Sequence, residues 1–295
     1  MSLRTILALM LCNLVWSLNV VVSKLVVDDL GMPPLFYASA RALLVVVALA
    51  YLLRPLPKEL GKVLLIGLAI GGGSFALLFM GLETASPSVA GIISLSGAPM
   101  TVVFAMIFLG ERVRWRRGLG IFLTLGGVLI AMGSPARMSG GEGATLLFAA
   151  AVIGSLGAVF FKRIEIDAHA MQAWSGFASV VVLAPLSFAT ESGQFAAVAA
   201  QPLEFAGALF FASIVVSVGA HTAYYRMLQQ NDANLVVPLT LMTPLLTIVF
   251  GALITNDVIG WRLIVGCALA IVGVAIIVLR PSRNIFKPLL VKARF

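Results

Sequence analysis

The sequence predicts an all-α integral membrane protein, with ten transmembrane helices arranged as two inverted-topology five-helix repeats. Three observations carry this. Hydrophobic residues make up 61% of the 295, and only 20 basic and 12 acidic residues accompany them. An ordinary soluble domain holds about 45–50% apolar residues, and the surplus would turn its surface into one apolar patch. The apolar residues fall in runs near the roughly 20 that span a hydrocarbon core as a helix. The two halves of the chain also repeat one another. Helices follow because open strands leave their backbone unsatisfied in lipid, and the runs are too uniformly apolar for the alternating strands of a barrel.

Apolar runs between charged or Pro/Gly punctuation place the spans at 4–26, 36–53, 62–82, 87–109, 116–133, 143–162, 169–189, 203–229, 234–254 and 259–280. The first run exceeds a signal-peptide core and lacks a small-x-small cleavage site, so it counts as a span. Of the 20 Lys and Arg, 16 fall on one side: Arg4, the loop with Arg54, Lys58 and Lys62, the loop from Arg112 to Arg117, Lys162, Arg163, Arg226 and the tail. Lys24, Arg137 and Arg262 fall on the other, and Arg41 lies within a span. The asymmetry puts both termini in the cytoplasm. It also accounts for the net charge of +8 without nucleic acid. The basic tail, 282–295, fits a segment on the anionic inner leaflet or a disordered end. Cys12 and Cys267 sit in apolar runs, far apart, and read as packing residues.

The repeat is visible residue by residue. Pro99-Met100-Thr101-Val102-Val103-Phe104 aligns with Pro244-Leu245-Leu246-Thr247-Ile248-Val249. After a one-residue slip Trp115-Arg116 meets Trp261-Arg262, Gly120 meets Gly266, and Gly127-Val128 meets Gly273-Val274. The units are 1–135 and 140–281. Five spans per half make the halves enter the membrane from opposite sides. Secondary transporters often use this arrangement, with a site near the midplane between the halves.

Polar side chains in a span are costly unless they pair or line a cavity. On the first span Asn13, Trp16 and Val20 share a face, with Ser17 nearby; cavity lining and interhelical hydrogen bonding both explain Asn13. The third span carries Gly71-Gly72-Gly73-Ser74, then Phe75, Phe79 and Met80. Its glycines admit a close neighbour or a bend, and no phosphate loop follows. Pro99, Pro238 and Pro244 kink the fourth and ninth spans. On the eighth span Ser217, His221 and Tyr224 share a face. His221 reads first as a satisfied structural histidine and second as a proton-coupling group. Arg41, costing about 2.5–3.5 kcal/mol if central, is expected to snorkel to the outer surface. Glu83, near that surface, is its candidate partner or a gate residue.

The residues Pro99, Leu109-Gly110-Glu111, Trp115, Gly120 and Gly127-Val128 carry a family resemblance, as do Pro244, Asp257, Trp261, Gly266 and Gly273-Val274. Over about residues 5–280 the chain resembles the drug/metabolite transporter superfamily in its ten-helix EamA-type branch. It is most similar there to bacterial aromatic amino acid and metabolite exporters. Asn256-Asp257 departs from the Gly-Glu usual at that place. The resemblance implies export of amino acids, and of some drug-like solutes, by alternating access.

The expected substrate-binding set is Asn13, Trp16, Ser17, Phe79, Met80, Pro99, Ser155, His221, Tyr224, Met242 and Thr243, from the first, third, fourth, sixth, eighth and ninth spans. Arg41, Glu83 and His221 are the expected gating or coupling residues. No catalytic motif, metal-ligand spacing or cofactor motif is present, and a monomer is expected. The alternatives are a nucleotide-sugar or phosphate-ester carrier, which would want more cationic residues than Arg41, a passive channel, or an intramembrane enzyme.

Overall fold

A computed structural model describes residues 3–278 except 112, 114, 134–140, 162 and 231–235. Arg112, Arg114, Arg137, Lys162 and the basic tail therefore lie outside the described residues. The described chain is all helical. Eight helices are long and apolar enough to cross a membrane: α1 (Leu3–Asp28), α3 (Leu60–Thr84), α4 (Pro87–Leu109), α5 (Trp115–Met132), α6 (Glu142–Phe161), α7 (Ala168–Thr190), α8 (Pro202–Tyr224) and α10 (Trp261–Val278). Two further apolar helices are shorter, α2 (Pro34–Ala48) and α9 (Leu239–Ile254). This is a multi-pass membrane protein.

The punctuation of these helices follows the sequence. Pro34 and Pro87 stand in first turns, where the missing N–H costs nothing. Carboxylates from distant segments cap two helices. Glu191 accepts from the amides of Leu35 (2.8 Å) and Phe36 (3.0 Å), and Asp257 accepts from Ser88 N at 2.9 Å. Orphan amides at a helix start, buried near lipid, need such acceptors. Asp167 caps α7 through His169 N and Ala170 N. Partial burial pushes its carboxyl up, but these amides outweigh that and hold it below its ordinary range.

The prolines disrupt their helices as expected. α4 breaks at Leu95–Ser96, so that a first segment, Pro87–Ser94, gives way to Gly97–Leu109. Leu95 is the residue whose carbonyl Pro99 cannot satisfy. Before Pro244, α9 is preceded and opened by a tight 3-10 stretch, Val237–Leu241. The third helix of each half shows a matching irregularity. α3 widens to a π-helical stretch at Leu68–Gly73, and α8 does so at Phe211–Ala220. Such wide turns frequently mark functional segments.

The halves meet most closely where α5 crosses α10. A Cβ at Gly120 would lie 2.7 Å from Gly273 O, and one at Gly273 would lie 2.6 Å from Gly120 O. Gly127 and Gly266 stand in the same reciprocal relation. The early glycine of each helix faces the late glycine of the other, so these equivalent helices run antiparallel. Exchanging the halves maps the contact onto itself, as across a two-fold axis. Small residues supply the attraction here, because bare backbones approach closely where lipid gives no hydrophobic drive.

Candidate functional site

A cavity of about 290 Å³ lies among α2, α3, α6, α7 and α8. α2 contributes Arg41 and Val45, α3 contributes Gly71, Gly72 and Phe75, and α6 contributes Phe161. Its α7 wall is Gln172, Ser175 and Ser179, and its α8 wall is Ser217 and His221. α2 runs toward the basic loop with Arg54, Lys58 and Lys62, α3 runs away from it, and Phe161 and Ala168 flank the loop with Arg163. The cavity therefore lies in the half of the bundle nearer the basic loops, with Arg41 toward its deep end.

Arg41 is 4% exposed. It does not snorkel. Its guanidinium turns inward because Ser217 offers an acceptor: Nη2 donates to Ser217 Oγ at 2.9 Å and Nε at 3.3 Å. Phe75 stacks under it, with Cζ 3.9 Å from the ring centroid, a cation–π contact. Ser217 in turn donates to Ala212 O at 2.9 Å, inside the π-helical stretch. The side-chain amide of Gln172 donates to Ser217 O. His221 Nδ1 lies 2.9 Å from Val216 O. A carbonyl only accepts, so Nδ1 carries the proton and Nε2 presents its lone pair.

The glycines expected to admit a neighbour do so. Ser175 donates to Gly67 O at 2.6 Å, and a Cβ at Gly67 would lie 2.8 Å from Ser175 Cα. Gly71 and Gly72 leave room for the hydroxyls of Ser175 and Ser179 in the same way.

Toward the far end, one turn beyond Arg41 and Phe75, Tyr37 and Phe79 meet with ring centroids 4.7 Å apart, and neither is exposed at all. Phe79 is thus part of a closed layer beyond the cavity. Past this layer a second, polar pocket of about 540 Å³ holds Lys24, Asp28, Glu83 and Asp257. Glu83 is exposed there, and its backbone carbonyl accepts from Lys24 at 3.1 Å. It is not the partner of Arg41, whose guanidinium is engaged by Ser217 and Phe75.

Of the expected substrate-binding residues only His221 borders the cavity. Trp16 and Tyr224 pack beside it, with Trp16 centroids 5.3 Å from His221 and 5.2 Å from Tyr224. Asn13, Ser17 and Thr243 form an interhelical lock. Thr243 Oγ1 donates to Asn13 Oδ1 at 2.6 Å, and Ser17 Oγ lies 3.1 Å from Thr243 O. Ser155 does the same in the other half, donating to Gly97 O at 3.0 Å. Carbonyls next to the two kinks are therefore engaged by serines of α1 and α6. Pro99 is buried, while Met80 and Met242 are half-buried away from the cavity lining. The residues missed were Phe75, Gln172, Ser175 and Ser179. Gln172, Ser175 and Ser179 are spaced three and four apart, which places them on one helix face. That spacing was the available signal.

Comparison with known proteins agrees with this architecture. Residues 3–133 and 141–279 each match the EamA-like transporter family. A probable amino-acid metabolite efflux pump of Salmonella typhimurium is 26% identical over 281 residues, covering 90% of this chain and 92% of the relative. A protein of the same description from Escherichia coli is 26% identical with the same coverage. An uncharacterized transporter of Clostridium kluyveri is 25% identical over 224 residues, 73% of this chain and 71% of its own. A crystal structure of a protein 21% identical superposes with a TM-score of 0.52 over 93% of this chain and 96% of that one, a likeness of fold.

Proposed function

Because this chain belongs to the EamA-like transporter family, we propose that it is a ten-span secondary carrier exporting amino acids, aromatic and other neutral ones, and related metabolites across a bacterial inner membrane. Both termini face the cytoplasm in this reading, so the cavity faces the donor compartment. The observation that carries the proposal is the cavity itself. Its polar groups, Arg41, Gln172, Ser175, Ser179, Ser217 and His221, are set in an otherwise apolar wall. A small apolar site with a few convergent polar groups is what a metabolite needs, and 290 Å³ lies at the small end of the usual range.

The two pockets support alternating access as the mechanism. The inner cavity and the far-side pocket are separated by the Tyr37–Phe79 layer. Rocking of one five-helix half against the other about the α5–α10 crossing exchanges which side is closed. A carrier is favoured over a channel by the closely packed Tyr37–Phe79 contact between the pockets, because a channel needs a continuous polar stripe through several helices. The family and the named relatives indicate a transporter rather than an enzyme.

Purified protein in liposomes preloaded with unlabelled phenylalanine tests this. Saturable, trans-stimulated entry of labelled phenylalanine is expected. Flux that rises linearly without saturation would identify a pore, and no flux for any amino acid would remove the proposed substrate class.

A further inference from the structure

We infer that Arg41 is the carboxylate seat of the cavity, so that substrates are small molecules bearing one carboxylate; this rests on the carrier reading above and adds the recognition chemistry to it. A guanidinium has five N–H donors in a fixed planar fork. Ser217 Oγ takes the Nε hydrogen and one hydrogen of Nη2. Both hydrogens of Nη1 and the second of Nη2 remain. One hydrogen of Nη1 and the second of Nη2 form the end-on edge of the fork, the edge that receives a carboxylate through two parallel hydrogen bonds.

The rest of the site agrees with that edge being kept for a ligand. Arg41 is 4% exposed, and Nη1 is buried without a hydrogen-bond partner. No Asp or Glu is among the residues lining the cavity. A buried cation without an anion is expensive to hold, and one with an anion supplied on binding is not. The Phe75 face offsets part of the cost in the empty state. Ser217 and Phe75 together fix the plane of the guanidinium, so the fork is oriented before a ligand arrives. One fixed fork also sets a limit on charge: it matches a single carboxylate and leaves the second charge of a phosphate monoester unpaired. The side-chain oxygens of Gln172 and Ser175, on the wall contributed by α7, and His221 Nε2 remain as acceptors for the ammonium of an amino acid.

The test uses purified full-length protein in detergent and reads binding by thermal shift and isothermal titration, independent of transport. Three related ligands are compared: phenylalanine, its near-isostere phenylalaninamide, and phenethylamine, which lacks the carboxyl group altogether. Phenylalanine is expected to bind, and the two ligands without a carboxylate are expected to bind about 10-fold to 100-fold more weakly, the range for a lost hydrogen bond to a charged group. Arg41→Gln should abolish the difference between phenylalanine and its amide, and Arg41→Lys should retain part of it. The ligand comparison on the unaltered protein stands even where the variants fold poorly. Equal binding of acid and amide would overturn the carboxylate seat while leaving the carrier reading intact. Binding of carboxylates without counterflow in liposomes would sink the carrier reading and leave the seat. If phenylalanine fails to bind, 3-phenylpropionate and its amide take its place, and failure of every such pair to show a preference for the acid overturns the inference.

Discussion

Gly127 of α5 and Gly266 of α10 face each other so closely that a Cβ on either would lie 2.5 Å from the carbonyl oxygen of the other. Neither backbone can move aside without opening the crossing between the halves. Gly127→Ala is therefore expected to destabilise the protein by about 1–3 kcal/mol, the cost of overpacking a tight contact. Gly126→Ala, at a position with nothing within 4 Å, is the control. Melting temperatures in detergent should fall for the first and stay unchanged for the second. Equal melting temperatures would mean that this crossing does not hold the halves together.

Ser17 and Ser155 play the same part in opposite halves, each tying the entry helix of its unit to the proline-broken helix of one half. Hydrogen bonds between membrane helices average about 0.6 kcal/mol. Ser17→Ala and Ser155→Ala should each lower stability by about that amount and leave apparent substrate affinity unchanged in counterflow. A several-fold change in affinity with unaltered melting would return these serines to the binding site.

Phe79 closes the cavity toward the far-side pocket against Tyr37. Phe79→Ala removes half of that layer. Preloaded liposomes carrying the variant should release labelled substrate faster without substrate outside, while exchange remains saturable. Release at the rate of the unaltered protein would show that the barrier lies elsewhere.

His221 joins α8 to the cavity, with Nδ1 engaged by Val216 O and Nε2 at the other side of the ring. We expect the energy source to be the proton gradient. His221→Gln should then abolish gradient-driven accumulation and spare exchange. The idea fails if the unaltered protein accumulates nothing more with a gradient than without one.

Orientation is open to direct measurement. Reporter fusions after residues 30, 84, 195 and 257 should report the outside, and fusions after 58, 114 and 166 the inside. Two or more reversed read-outs would contradict the assignment of the cavity to the cytoplasmic side.

The frame of the molecule was legible in the sequence because it rests on local features. Apolar runs set the helices, Pro99 and Pro244 set the breaks, and Gly120, Gly127, Gly266 and Gly273 mark the crossing. The site was less legible because polarity alone does not say where a side chain points. Asn13, Ser17 and Thr243 bond to one another and stand outside the cavity lining. Arg41 has an aliphatic stem long enough to reach the lipid surface or the interior, and only the position of Ser217 across the gap decides between them. Ser175 and Ser179 sit on α7, whose small residues read equally as packing until the glycines of α3 are seen opposite them.

The central claim is that the working cavity lies around Arg41 and Ser175. Substituted-cysteine labelling tests it most directly, in a background with Cys12 and Cys267 replaced. Inverted vesicles carrying Ser175→Cys or Ser17→Cys are treated with a membrane-impermeant maleimide, with and without saturating phenylalanine. Ser175→Cys is expected to be labelled and to be protected by phenylalanine, while Ser17→Cys stays unlabelled in the helix lock. Protection at position 17 with none at position 175 would contradict that claim and move the site to the α1–α9 contact.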